Sequence, residues 1–297
     1  MWDVETGKEV KKFEGHSGRL RHSGRLTAIT VSSDGKYLFT GSDDRTARMW
    51  DVETGKQLKT FEGLQKKVTG FIYLLRINAI TVSPDGKYLF TCSNDKTARM
   101  RDVQTGKEVK KFEGHSSHIN AIVVSSDGKY LFTGSDDATA CMWDVQTGKE
   151  FKKFGGPFRD INAITVSSDG KYLFTGSDDR TASMWDVETG EELKKFEGHS
   201  SNTVCAITVS SDGKYLFTTK HMWDVETGLQ LKELPPSASF KEEAILPVRK
   251  KDTIHIEIDN NGVGFTEDDT TTRDLSLYKG TYFGIRRDDF ICWTTKY

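Results

Sequence analysis

The stretch 161–196, INAITVSSDGKYLFTGSDDRTASMWDVETGEELKKF, contains four short segments that are rich in β-branched and aromatic residues. Turn sequences separate these segments: Ser-Asp-Gly at 168–170, Asp-Asp at 178–179 and Glu-Thr-Gly at 188–190. Segments of this length and composition, bounded by such turns, are typical of short β-strands. The stretch therefore predicts four antiparallel strands joined by tight turns.

The same unit recurs along the chain. The string Asp-Gly-Lys-Tyr has its tyrosine at 37, 88, 130, 172 and 215. Most copies are about 42 residues apart, a period that fits four-stranded propeller blades and also helical solenoids. Because the pattern inside each copy is β throughout, we predict an all-β repeat protein.

Composition argues against two classes of partner. The chain has 297 residues and a formal net charge of −2, so it creates no strong field toward nucleic acid or an anionic membrane. The apolar run Phe71–Leu75 is far shorter than the ~18 residues of a membrane span.

The start Met1-Trp2-Asp3 lacks the basic and apolar regions of a signal peptide. We expect a soluble protein of the cytoplasm, with the nucleus as the alternative.

Metal chemistry finds little support. The four cysteines, at 92, 141, 205 and 292, form no CxxC pair, and the seven histidines are scattered. His115 and His118 are the most closely spaced candidates, but no third ligand accompanies them. The sequence predicts reduced thiols, no metal site and no cofactor.

Two phased dipeptides carry a family resemblance. Trp-Asp begins at 2, 50, 143, 185 and 223, and Gly-His begins at 15, 114 and 198. A set phased over most of the chain closely resembles the WD40-repeat family. The resemblance implies a β-propeller, and in each full repeat a polar chain from the loop His through a strand Thr or Ser and a turn Asp to the Trp indole. Such a chain supplies a buried indole N–H with an acceptor and locks short strands together.

The resemblance assigns the members of this polar chain to particular residues, which are expected to belong to the scaffold. In the third unit it implies His115, Thr133 or Ser135, Asp137 and Trp143; in the first, His16 or His22, Thr40 or Ser42, Asp44 and Trp50; in the fourth, Asp179 and Trp185.

Three units depart from the pattern. The second has Arg101 in place of Trp and Gly63-Leu64 in place of Gly-His, so we expect it to be the least well locked. The fourth has Gly155-Gly156 in place of Gly-His. The fifth lacks the Ser-Asp-Asp turn, which predicts a much tighter connection between its second and third strands.

The repeats occupy 1–233, and we expect 234–297 to complete the ring as a degenerate β segment. The N-terminal residues Met1-Trp2-Asp3 and Glu9–Phe13 match the outer half of a repeat. We predict strands at 253–258, 263–266, 273–278, 281–285 and 290–294, of which the last two would join this half. Seven blades are predicted, and six are the alternative.

Partner-binding candidates are the positions that vary where their flanks barely change. The residues that enter the inner strands, which we call the rim residues, are Arg25, Arg76, His118, Asp160 and Thr203. The first residues of the acidic turns, Asp43, Asn94, Asp136 and Asp178, are predicted to line the same rim. Lysine pairs on the outer strands, interleaved with glutamates, are interpreted as protection of exposed sheet edges.

The leading functional interpretation is a non-catalytic scaffold that holds proteins or peptides on its rim and top face, as part of a multiprotein complex. A ubiquitin-ligase substrate receptor is a subtype, although Glu or Gln follows each full Trp-Asp-Val where receptors of the cullin-4 type commonly have Trp-Asp-x-Arg. An enzyme that uses the central channel is the other class, and the sequence contains no catalytic motif that favours it. A recently duplicated array with little specialised function is the third.

Overall fold

The computed structural model describes residues 1, 3, 8–16, 25–62, 76–155, 159–199 and 203–233 with their side chains. Beyond these it describes the backbone of the strands at 67–68, 71–72, 244–248, 252–259, 262–267, 282–286 and 289–294. The described residues form strands and turns, and none of them belongs to a helix of the length and apolar character needed to cross a membrane.

Twenty strands form five antiparallel units of four, which we call blades 1 to 5. Blade 1 contains β1 (Leu26–Val31), β2 (Tyr37–Ser42), β3 (Thr46–Asp51) and β4 (Gln57–Glu62), and is followed by the short pair β5 (Lys67–Val68) and β6 (Phe71–Ile72). Blade 2 contains β7 (Ile77–Val82), β8 (Tyr88–Ser93), β9 (Thr97–Asp102) and β10 (Glu108–Glu113). Blade 3 contains β11 (Ile119–Val124), β12 (Tyr130–Ser135), β13 (Thr139–Asp144) and β14 (Glu150–Gly155). Blade 4 contains β15 (Ile161–Val166), β16 (Tyr172–Ser177), β17 (Thr181–Asp186) and β18 (Glu192–Glu197). Blade 5 contains β19 (Ile207–Val209), β20 (Tyr215–Thr218), β21 (His221–Asp224) and β22 (Gln230–Glu233). The predicted all-β fold is confirmed.

Side chains of the repeated turns fix the hairpins. In blade 4, Ser167 donates to Asp169 Oδ1 at 2.6 Å, and the same oxygen accepts the Lys171 amide at 3.1 Å. Gly170 has a φ of 75°, in the left-handed region that glycine adopts without a steric penalty. The Ser-Asp-Gly-Lys string therefore specifies the turn chemically, and its recurrence explains why the blades are alike.

The core lies between neighbouring blades. Phe132 and Phe154 of blade 3 pack against Ile161, Leu173 and Trp185 of blade 4 in one buried cluster. Phe154 contacts the edge of Trp185 with the ring centroids 6.3 Å apart. Burying each such side chain stabilises the fold by roughly 1.5–3 kcal/mol, so the stack of blades is held mainly by these faces.

The outer-strand lysines have a different role from the one their charge pattern suggests. Lys110 Nζ of blade 2 donates to the carbonyl oxygens of Val145, at 3.1 Å, and of Gln146 in the third turn of blade 3. Lys11, Lys59, Lys152 and Lys194 make the same pair of contacts with the blade that follows each of them. The lysine at this position of each outer strand is thus a latch between blades, which corrects the interpretation of both lysines of each pair as edge protection.

The N-terminal residues pack as the outer half of a blade. The amide of Val10 donates to the Met1 carbonyl at 2.9 Å, and Phe13 contacts Trp50 of blade 1 with centroids 6.0 Å apart. This half therefore covers blade 1 as each outer strand covers the next blade.

The C-terminal strands form two groups. β23 (Ala244–Val248), β24 (Asp252–Asp259) and β25 (Gly262–Glu267) make an antiparallel sheet, and β26 (Tyr282–Arg286) pairs with β27 (Asp289–Thr294). β27 lies parallel to β1, the inner strand of blade 1, so β26 and β27 extend blade 1. The prediction that they would join the N-terminal half is therefore not met among the described residues. The predicted strand at 273–278 lies outside the described residues. The described strands do not complete a ring, so the choice between six and seven blades and the boundary at 233 stay predictions.

Candidate partner-binding surface and the polar network beneath it

A continuous polar chain runs through blade 3. His115 Nδ1 lies 2.8 Å from Asp137 Oδ2, and His115 Nε2 lies 2.8 Å from Thr133 Oγ1, which accepts the Trp143 indole N–H at 2.8 Å. Burial raises the energy of the Asp137 carboxylate, but hydrogen bonds from His115 and Thr139 outweigh it and hold the pKa of Asp137 well below its usual range. The strand member of the chain is Thr133; Ser135 lies beside it and accepts the Asp137 amide at 3.1 Å.

Blade 1 has the same polar chain. His16 lies 2.7 Å from Asp44 and 2.8 Å from Thr40, and Trp50 donates to Thr40 at 2.8 Å. His22 lies outside the described residues. Ser42 again stands beside the chain and accepts the Asp44 amide at 3.0 Å.

The chain is shorter in blade 4. Trp185 donates to Thr175 at 3.0 Å, as in blades 1 and 3. Among the described residues, Asp179 accepts hydrogen bonds only from its own turn, where Thr181 donates at 2.6 Å. The loop histidine is replaced by glycine in the sequence, so the described residues do not connect Asp179 to Thr175.

Blade 2 replaces the chain with ion pairs. Arg99 contacts Asp95 at 2.6 Å and Glu108 at 3.0 Å, and Arg101 lies 3.8 Å from Glu108. A cavity of about 20 Å³ remains between these guanidinium groups and Thr91. Burial lowers the pKa of Arg101. The His-to-Trp chain is missing here, as the sequence predicts.

In blade 5 the chain loses its carboxylate. His199 Nε2 lies 2.8 Å from Thr218 Oγ1, which accepts the Trp223 indole N–H at 3.1 Å. The two-residue connection from Thr218 to His221 leaves no turn aspartate, and His221 packs against His199 with ring centroids 4.7 Å apart. Burial, followed by the proximity of His221, lowers the pKa of His199 to about 4. The sequence analysis missed His221, and the threonine repeated at 40, 91, 133, 175 and 218 was the signal for Thr218.

Backbone hydrogen bonds join the rim residues to the acidic turns. The carbonyl oxygens of Arg25, His118 and Asp160 accept the amides of Asp43, Asp136 and Asp178 at 3.0, 2.9 and 3.0 Å. The rim residues of blades 1, 3 and 4 therefore occupy equivalent places at one end of the blades, the top face. Arg25, Arg76 and His118 are exposed there, whereas Asp160 and Thr203 are half-buried.

The first residues of the acidic turns are engaged inside the blades. Asn94 accepts from Asn78 at 2.7 Å, Asp136 accepts from Asn120, and Asp178 accepts from Asn162 at 2.6 Å. The same amide of Asn78 also reaches the Ile119 carbonyl of the next blade at 2.8 Å, and that of Asn120 reaches the Ile161 carbonyl. Asp43 has Thr27 at the asparagine position, and its buried Oδ1 has no hydrogen-bond partner in the described part of the chain. Asn94, Asp136 and Asp178 therefore stabilise the blades in addition to any contact with a partner.

The charge of the top face changes along the chain. Arg25 and Arg76 are basic, whereas His118 Nδ1 lies 3.3 Å from Asp136 and Asp160 follows in blade 4. Burial, then repulsion from Asp136 and Asp178, raises the pKa of Asp160. The rim residues are thus basic in blades 1 and 2 and acidic in blade 4. The described residues contain no group of side chains that could hold a metal ion.

Comparison with known proteins agrees with this architecture. The family model described as "WD domain, G-beta repeat" matches residues 7–51, 55–102, 106–144, 148–186 and 190–224, well over half of the chain. The chain is similar to the guanine nucleotide-binding protein subunit beta of Nicotiana tabacum, 30% identical over 113 residues, and to that of Arabidopsis thaliana, 29% identical over 116 residues. These matches span 38% and 39% of this chain and 28% of each relative. The five repeat matches, which together cover the strands described above, establish that the chain belongs to the WD40-repeat family.

Proposed function

We propose that this chain is a non-catalytic scaffold that binds protein partners through the rim residues of its top face. The family supports a role in protein interaction, and the observation that carries the location is the contrast at the rim. Arg25, His118 and Asp160 sit on equivalent backbone positions with equivalent hydrogen bonds, yet they differ in charge. A rigid framework that presents different side chains at matched places lowers the entropic cost of binding and leaves selectivity to those side chains.

The polarity of the face defines the partner. A complementary surface carries acidic groups toward Arg25 and Arg76 and basic groups toward Asp160. Complementary charge of this kind speeds encounter and fixes orientation more than it adds affinity. We place this interaction in the cytoplasm.

Affinity capture with a matched control tests the proposal. One variant carries Arg76→Ala, His118→Ala and Asp160→Ala, and the control carries Lys87→Ala, Lys129→Ala and Lys171→Ala in the exposed hairpin turns at the opposite end of the strands. Circular dichroism first establishes that both variants fold. We expect a partner that the parent and the control capture and the rim variant loses. Equal capture by both variants would move the interaction away from the rim.

A further inference from the structure

The turn aspartate of blade 4 lacks the partner that its three equivalents have. Oδ2 of Asp44, Asp95 and Asp137 lies 2.7, 2.6 and 2.8 Å from a histidine or arginine nitrogen. The nearest cationic nitrogen to Asp179 Oδ2 among the described residues is Lys195 Nζ, at 3.9 Å, which is beyond hydrogen-bond distance. Among the described residues, this oxygen of blade 4 therefore has the ion pair with Lys195 but no donor within hydrogen-bond distance.

The Asp179 side chain is more accessible than its equivalents. The Asp179 side chain is 17% exposed, compared with 6%, 8% and 5% for its equivalents in blades 1, 2 and 3. It lines a solvent-open cleft of about 480 Å³, together with Arg180, Lys195, Glu197 and His199. His199 Nδ1, which is buried, also lacks a hydrogen-bond partner among the described residues. The cleft thus combines space with a carboxylate oxygen that lies within hydrogen-bond distance of no described donor.

Blades 1 and 2 show which group fits a turn aspartate. Arg48 Nη2 lies 3.3 Å from Asp44 Oδ2, and Arg99 Nη2 lies 2.6 Å from Asp95 Oδ2. In each case Nη1 of the same guanidinium donates to the first residue of the outer strand, Gln57 at 2.8 Å or Glu108 at 3.0 Å. The protein itself therefore uses a guanidinium to satisfy this carboxylate.

Blade 4 keeps the turn aspartate and an acidic residue at the start of the outer strand, but it has no guanidinium at the arginine position. Ser183 stands at the arginine position, because β17 and β9 have the same register with their neighbours. Glu192 opposes Trp185 as Glu108 opposes Arg101. What blade 4 lacks, relative to blades 1 and 2, is a planar cation with two N–H groups.

We propose that the cleft at Asp179 binds the side chain of an arginine from a partner protein, with Asp179 Oδ2 as the principal acceptor. The inference rests on the proposed function in one respect: the arginine is taken to belong to a partner protein. Asp179 and Glu197 are balanced by Arg180 and Lys195, so net charge alone gives a ligand little attraction. Selectivity for arginine comes from the planar fork of N–H groups, which a lysine ammonium cannot reproduce.

Titration with a minimal probe tests the site. Nα-acetyl-arginine amide is added to the folded chain, and NMR follows the Thr181 amide, which donates to Asp179 Oδ1 at 2.9 Å. We expect a saturable shift with a Kd on the order of millimolar, as for a single solvent-exposed side-chain contact. The acetylated amide of citrulline has the shape of the arginine probe without its charge, and that of lysine has the charge without the planar pair of N–H groups. Both are expected to bind at least tenfold more weakly.

Two variants link the binding to the cleft. Asp179→Asn removes the charged acceptor, and Ser183→Arg introduces the guanidinium that blades 1 and 2 already have; each is expected to weaken binding at least tenfold. Ser168→Arg, in the exposed hairpin turn at the other end of β16, is the matched control and is expected to bind as the parent does. Equal binding of citrulline, or undiminished binding by both folded cleft variants, overturns the inference. Because the probe is not a partner, this result is independent of the capture experiment, in which the rim residues alone are changed.

Discussion

Blade 3 and blade 2 have the same four strands and the same turns but stabilise their outer halves in different ways. In blade 3, one buried hydroxyl, Thr133 Oγ1, contacts both His115 and the Trp143 indole. In blade 2, two arginines and two acidic residues meet around a small cavity, and the hydroxyl of Thr91 has no hydrogen bond to any described residue. A satisfied network of few charges contributes to stability, whereas buried ion pairs spend most of their attraction on desolvation. The fold therefore depends on the strands and the interblade core, and the polar network adds to their stability.

The largest expected effect is the loss of the shared hydroxyl in blade 3. Thr133→Val keeps the shape of the side chain but leaves His115 Nε2 and Trp143 Nε1 without a partner. Each unsatisfied buried group costs about 1–3 kcal/mol, so we expect the free energy of unfolding to fall by about 3 kcal/mol. Urea unfolding measures it.

Thr91→Val in blade 2 is the matched control for that prediction. Because the Thr91 hydroxyl bonds to no described group, we expect a change of less than about 0.5 kcal/mol. Equal losses in the two variants would show that the hydroxyl chain does not distinguish the blades.

Blade 5 differs from both blades, because its polar chain contains a histidine but no carboxylate. The pKa of His199 falls from 6.5 to about 4 on folding, because burial and His221 disfavour the charged ring. The unfolded chain therefore binds more protons between these values, so the contribution to stability is complete above pH 6.5 and is lost as the pH falls toward 4. We expect a loss of about 2 kcal/mol by pH 5, measured by urea unfolding across the range.

His199→Gln serves as the control for the pH dependence. The glutamine amide can still bond to Thr218 and does not titrate, so the loss between pH 6.5 and 5 is expected to shrink. A variant as pH-sensitive as the parent would assign the effect to other groups, of which His221 and Asp179 are the nearest.

Repeated residues made most of this fold predictable from sequence. The strands and turns follow from strings that recur five times, and the His, Asp and Trp positions of blade 3 follow from the family resemblance. The choice of Thr133 over Ser135 does not follow, because both lie on the same face of β12 and only their distances to Trp143 and Asp137 separate them. Local pattern names the candidates, and the spacing across strands selects among them.

Contacts between blades were harder to predict. The latch of Lys110 depends on the carbonyls of Val145 and Gln146, which lie about 35 residues away in sequence. The charge pattern of the outer strand contains no information on that neighbour. A signal did exist: a glycine recurs in the facing turn, and a Cβ on Gly148 would lie 2.7 Å from the Lys110 side chain.

A smaller effect is expected at the interface that blades 2 and 3 share. Lys110→Met retains most of the aliphatic stem and removes the donor to the two carbonyls, and we expect a loss of about 1 kcal/mol in urea unfolding. Lys111→Met, which removes only a surface ion pair with Glu113, is expected to change stability by less than about 0.5 kcal/mol. If the two substitutions cost the same, the lysine latch contributes no more than an ordinary surface charge.

The smallest expected effect concerns a turn that the two blades share. Ala138 in blade 3 and Lys96 in blade 2 both have a left-handed backbone, with φ of 66° and 68°. Ala138→Gly relieves the clash of Cβ with the backbone, which outweighs the greater freedom of glycine in the unfolded chain, so thermal unfolding should show a gain of about 0.5–1 kcal/mol. Lys96→Gly gives up the bond from Lys96 to the Ser116 carbonyl at 2.7 Å, so its gain is expected to be smaller. A gain at both positions would show that blades 2 and 3 differ in stability because of the polar network and not because of this turn. A loss at Ala138 would mean that the turn is adapted to a side chain.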